Sequence, residues 1–151
     1  MKSSIFKPHG SAQVELSGAI LTVHMRGDWN AEMRAEAGQR MMAHVPALNA
    51  GGPWGIVNYL HDTLVYCDDI FTETRQAYAA RPPGSELTAV AFVIGPEVSG
   101  ALLMRSRFEN LLDGIITARV FVDYAEAQQW LQEQLQIPPK TPTRASAVRE
   151  T

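Results

Sequence analysis

The residue types best suited to chemistry crowd one short stretch of the chain: His61, Asp62, Cys67, Asp68 and Asp69. Three or four such donors converging on one point would suit a zinc ion, which takes imidazole, thiolate and carboxylate ligands. Their spacing fits no metal motif. The paired aspartates are better read as the acidic first turn of a helix, where the positive end of the dipole favours carboxylates. A loop running into such a helix calls for no metal and no cofactor. Cys67, next to two carboxylates, is a poor nucleophile because neighbouring negative charge disfavours the thiolate.

Other candidates thin out on the same kind of inspection. Gly95-Pro96-Glu97-Val98-Ser99-Gly100 joins an apolar run to a helical pattern and has the look of an anion loop. It lacks the spaced glycines and lysine of nucleotide loops and places Glu97 where a phosphate would sit, so it reads as a turn. His24 and His44 stand alone on periodic elements. Arg75, Arg81, Arg105 and Arg107 read as solvent-facing, with a partner's carboxylates as the alternative. There is no Gly-x-Ser-x-Gly elbow and no His-Glu-x-x-His, the common hydrolase signatures. Met25, Met33, Met41, Met42 and Met104 read as core, or else as lining a pocket between helices and sheet with Trp29, Phe71, Tyr78 and Phe108, since methionine suits adaptable apolar surfaces.

The elements that would position these residues follow from periodicity. Val14 and Leu16, then residues 19–25, alternate at period two around Ser17-Gly18, a β-hairpin pattern. Leu21, Val23 and Met25 share one face; Ile20, Thr22 and His24 share the other. Met33, Ala37, Met41, Val45 and Leu48 recur at helical spacing, one amphipathic helix ended by Gly51-Gly52-Pro53. Gly38 weakens it unless the backbone must approach something closely. Residues 54–60 and 87–94 are apolar runs between breakers and read as buried parallel strands. Helices are expected from about Asp68 to Ala80, from Pro96 to Gly114 and after the capping box Asp123-x-x-Glu126, with residues 117–122 as the last strand. The order β-β-α-β-α-β-α-β-α, with about five strands and four helices, predicts an α/β domain with a mixed, mostly parallel sheet.

Bulk properties bound the function. The chain has 151 residues, 46% of them hydrophobic, with a net charge of −3 and one cysteine. A sequence pI near 5.8 argues against a nucleic-acid surface, which needs a basic excess. A lone thiol forms no internal disulfide. With no signal-peptide pattern at the start and no apolar run long enough for a membrane span, a cytoplasmic location is expected.

The hairpin Leu16-Ser17-Gly18 into Leu21-Thr22-Val23, the strand ending near Asn58 and the acid-rich helix start form one set of features. To these is added the closing run from Ala118 to Leu131, which reads Phe-x-Asp-x-x-x-Ala-x-x-Trp-Leu from Phe121. Together they resemble the SpoIIAA-like family of the STAS-like fold, bacterial relatives of anti-sigma-factor antagonists. That resemblance implies a STAS-like domain over residues 12–137, after a lead-in at 1–11 and before a Pro/Thr-rich tail at 138–151, read as mobile or partner-bound. Phospho-regulated antagonists carry an Asp-Ser-x-Gly turn, which the stretch from Ile56 to Thr63 lacks, so the phosphate switch is not transferred, to Thr63 or elsewhere.

The family's likeness to lipid carriers implies a non-enzymatic regulatory or binding module for a protein partner or an apolar small molecule. Asn58, Tyr59, His61, Thr63, Tyr66, Phe71 and Gly95 are the expected site, at the ends of the third and fourth strands. Two alternatives stand beside it: a small enzyme using His61 with Asp62 or Asp69, and a structural homodimer.

Overall fold

The computed structural model describes residues 11–26, 31–61, 68–98 and 100–136. Trp29, Asp62, Thr63, Tyr66, Cys67 and the tail at 138–151 lie outside the described residues.

Period-two alternation at the start produces the expected hairpin. Strands β1 (Ser11–Ser17) and β2 (Ile20–Arg26) pair antiparallel, and Gly18 between them takes φ 60, a left-handed turn conformation that glycine adopts without steric cost. Next come α1 (Ala31–Met42), α2 (Val45–Ala50), β3 (Trp54–Leu60), α3 (Asp68–Ala79), β4 (Leu87–Ile94), α4 (Ala101–Asn110), β5 (Thr117–Phe121) and α5 (Tyr124–Gln136). The result is a single α/β domain with a five-stranded mixed sheet and five helices.

The fifth helix arises because the stripe from Met33 to Leu48 is two helices and not one. Pro46 is the reason. Inside a continuous helix it would delete the hydrogen bond to the Met42 carbonyl and clash with the preceding turn. The chain instead breaks at Ala43-His44, and Pro46 falls in the first turn of α2, where no N–H is owed. Residues 95–98 likewise form a turn, closed by Val98 N–H donating to the Gly95 carbonyl at 3.1 Å, and α4 begins at Ala101 and not at Pro96. Asp123 caps α5 as expected: Glu126 N–H donates to Asp123 Oδ2 at 3.1 Å.

Strand order in the sheet is β1-β2-β3-β4-β5, the same as chain order, with β2 to β5 parallel. Successive crossovers that step in one direction with one hand must lay their helices on one face. Accordingly α1 to α4 contribute Ala37, Leu48, Phe71 and Phe108, and the turn after α4 adds Leu112, to a core over Val23, Ile56, Val90 and Phe92. The opposite face is covered by α5, through Ala127 and Leu131 over Val57, Ala89, Ala91 and Val93. The close seat of α5 depends on small residues below it. A Cβ on Gly55 would stand 3.0 Å from Leu131 Cδ2 and 3.2 Å from the Ala89 carbonyl. Among the described residues, no helix is long and apolar enough to cross a membrane.

Candidate functional site

On the face that carries four helices, α3 makes its backbone approach to α1 and scarcely any to the sheet. Beneath it lies a cavity of about 680 Å³, within the range of small-molecule sites. Its floor is Val23 and Met25 of β2 with Trp54, Ile56 and Asn58 of β3. One wall is Ala37, Gly38, Met41 and Met42 of α1, continued by Val45 of α2. The other wall is Thr74, Ala77 and Tyr78 of α3. Small residues leave the space open: a Cβ added to Gly38 would meet nothing within 4 Å. The close backbone approach that would have justified this glycine is absent, and the residue widens the wall instead.

A few polar groups interrupt this apolar lining. Asn58, 4% exposed on the central strand, donates from Nδ2 to the Tyr78 hydroxyl at 3.4 Å. Burial pushes the Tyr78 phenol above its ordinary value, against the lowering pull of the Asn58 amide. Thr74, 6% exposed, has a buried hydroxyl with no hydrogen-bond partner. At the rim, Arg34 Nε of α1 donates to Glu73 Oε1 of α3 at 3.2 Å. Arg81 donates to the carbonyls of Tyr78 at 2.7 Å and Ile115 at 3.3 Å.

The α5 face carries a second polar cluster. His24 Nδ1 and His61 Nε2 lie 3.1 Å apart, with ring centroids at 5.3 Å and planes at 20°. The centroid spacing is about the nitrogen separation plus two ring radii, so the imidazoles meet edge to edge in an in-line N–H···N bond. His24 Nε2 reaches Glu15 Oε1 at 3.4 Å, and a proton held there leaves Nδ1 as the acceptor for His61. Tyr59 stacks on His61 at 4.2 Å and on Tyr124 at 5.2 Å. The Tyr124 hydroxyl is tied to Thr22 Oγ1 at 2.9 Å and to Gln128 at 3.0 Å. Among the described residues, no group of three His, Cys, Asp or Glu could hold a metal ion.

The expected site residues are thus divided by strand alternation. Asn58 faces the cavity, whereas Tyr59 and His61 lie on the α5 face. Phe71 is buried in the helix-side core, edge-on to Phe108 at 5.2 Å and beneath the Arg107 guanidinium at 4.1 Å. Gly95 is buried at the end of β4, with the Glu97 carboxylate folded over it. Thr63 and Tyr66 lie outside the described residues. His24 is not the lone histidine it looked: it links His61 to Glu15. Through His24, His61 is linked to the Glu15 carboxylate; the side chains of Asp62 and Asp69 lie outside the description. Arg75 does not face only solvent, since it donates to the Leu111 carbonyl at 2.8 Å.

Of the expected pocket-lining methionines, Met25, Met41 and Met42 line the cavity, as does Tyr78. Sequence reasoning missed Thr74 and Arg34. Thr74 had a signal, since it sits three residues after Phe71 and four before Tyr78, a polar position on an otherwise inward stripe. Glu15 had none, because its nearness to His24 depends on the hairpin register that pairs Gln13 with His24 and Glu15 with Thr22.

No family model and no curated protein matches the chain. Among solved structures it is similar to an uncharacterised protein of the DUF3478 family with a SpoIIAA-like fold from Shewanella loihica PV-4. The match has 16% identity and a TM-score of 0.48, and covers 87% of this chain and 98% of that one. What the molecule itself establishes is its architecture: one α/β domain whose mixed sheet carries four helices on one side, a fifth on the other and an apolar cavity beneath α3.

Proposed function

We propose that this chain is a non-enzymatic binding module for an apolar small molecule, held between α1, α3 and the helix-covered face of the sheet. One observation carries the reading: a cavity of about 680 Å³ whose walls, from three separate elements, are mostly aliphatic carbon and methionine. Filling such a space removes apolar surface from water at roughly 25 cal/mol per Å². Methionine walls adapt to ligands of irregular shape. The few polar groups inside supply orientation, as in small-molecule sites generally. A regulatory role, with the occupied and empty forms read by a protein partner, is the setting that the family resemblance suggests.

The test is a titration with an apolar fluorescent dye such as 1-anilinonaphthalene-8-sulfonate under native conditions. Saturable binding of one dye per chain is expected, together with a higher Tm in its presence, since a ligand that binds only the folded state stabilises it. Gly38→Phe projects a ring from α1 into the open space and is expected to reduce dye affinity at least tenfold with the fold intact by circular dichroism. Binding that is absent, or unchanged in Gly38→Phe, would overturn the reading.

A further inference from the structure

Resting on that reading of the cavity, we infer that its ligand carries one uncharged oxygen-bearing head, a hydroxyl or carbonyl, bound by Asn58, Thr74 and Tyr78. These three residues bring the polar atoms of β3 and α3 together against an otherwise apolar space. Thr74 and Tyr78 are four residues apart on α3 and so share its inward side. The Asn58–Tyr78 contact is long at 3.4 Å, and an asparagine amide has capacity for further bonds through its second N–H and its carbonyl. The Thr74 hydroxyl is buried with no partner at all. Buried hydroxyls in native proteins are almost always bonded, and an orphan one at a cavity wall asks for the group that completes it. Threonine in a helix populates two χ1 rotamers, and a change of rotamer is what brings this hydroxyl, shielded from the cavity as it stands, to a ligand.

Charge decides the class of head. Among the described residues, the three polar groups that would meet the head are uncharged, and the cations lining the cavity are Arg34 and Arg81. At the rim, the Arg34 guanidinium is paired with Glu73, and Arg81 is engaged by two backbone carbonyls. Tyr78 is held in its neutral, proton-donating form by burial. A carboxylate or phosphate placed against Asn58, Thr74 and Tyr78 would lose its water and meet only uncharged donors there, which is far costlier than burying a neutral oxygen. A plain hydrocarbon would leave Thr74 as unbonded as it is in the empty cavity. An alcohol can accept from Asn58 and donate to Thr74; a carbonyl can accept from Tyr78 and Thr74.

Three probes of one chain length separate these cases by dye displacement: 1-decanol, 1-chlorodecane and decanoate at pH 8. Wild-type protein is expected to bind 1-decanol about fivefold or more tighter than 1-chlorodecane, although the chloride is the more apolar, because each net hydrogen bond contributes about 1 kcal/mol, a factor of roughly five. Thr74→Val and Tyr78→Phe are each expected to erase most of that preference and to leave 1-chlorodecane affinity within about twofold; both variants are close isosteres, and a thermal melt checks their folding. Equal binding of alcohol and chloride, or variants without effect, would overturn the head-group assignment while the cavity reading stands. Decanoate binding tightest, and weakened in Arg34→Met or Arg81→Met, would replace it with recognition of an anion at the rim. If none of the three displaces the dye, the cavity reading itself falls.

Discussion

At the scale of single residues, the helix-side face of β3 is set by one unusual choice, an asparagine where isoleucine and leucine stand two positions to either side. Asn58 costs stability unless its amide is bonded, and the partner found for it is the Tyr78 hydroxyl. Because burial raises the Tyr78 phenol above 10.0, the folded state holds the proton more tightly than the unfolded chain does. Its contribution is complete below pH 10 and is lost as pH climbs through the raised folded value, since the unfolded state ionises first. The denaturant midpoint of the wild type is therefore expected to fall as pH rises past about 10. The fall should be shallower in Tyr78→Phe. Parallel pH curves for the two proteins would show that the phenol is not buried as described.

At the scale of elements, the two faces of the sheet are packed by different rules. Helix α5 sits close because Gly55, Ala89 and Ala91 keep the surface under Leu131 low. Gly55→Ala places a methyl 3.0 Å from a fully buried leucine and 3.2 Å from a backbone carbonyl, and overpacking of this kind costs about 1–3 kcal/mol. The expected outcome is a lower urea midpoint with an unchanged m value; an unaltered midpoint would mean that α5 is free to move outward. Helix α3, by contrast, reaches the core through Phe71 near its start and leaves space under Thr74 and Ala77. Its Arg34–Glu73 tie to α1 is partly exposed and contributes at most about 1 kcal/mol.

At the scale of the whole molecule, this asymmetry divides stability unevenly. Strands β2 to β4 and α5 form the tightly packed half, while α1 and α3 roof a cavity that no described side chain fills. Regions with few buried contacts open with smaller free energies. Amides of α1 and α3 are thus expected to exchange with deuterium well before those of β3, β4 and α5. Saturation with 1-decanol should slow the first group selectively. Uniform exchange across the helices would contradict an empty space beneath α3.

Much of this was legible in the chain. Continuous apolar runs bounded by glycines and prolines placed β3 and β4 at their observed limits, because buried parallel strands need continuous apolar residues and breakers end them. The Asp123 capping box and the α3 dipole acids were local signals, readable because their causes act within one turn of helix. The stripe from Met33 to Leu48 reads as one helix although it is two, because Pro46 acts on the backbone, which periodicity does not register. The site was the least visible. Asn58 and His61 are three residues apart, yet alternation sends them to opposite faces, and only the sheet's pairing shows that His61 meets His24 while Asn58 meets Tyr78. Local periodicity determined which residues would be helix or strand. The stacking order of strands, the side on which every crossover lands and the height at which α3 stands decided where an empty space remained, because these depend on contacts between segments far apart in the chain.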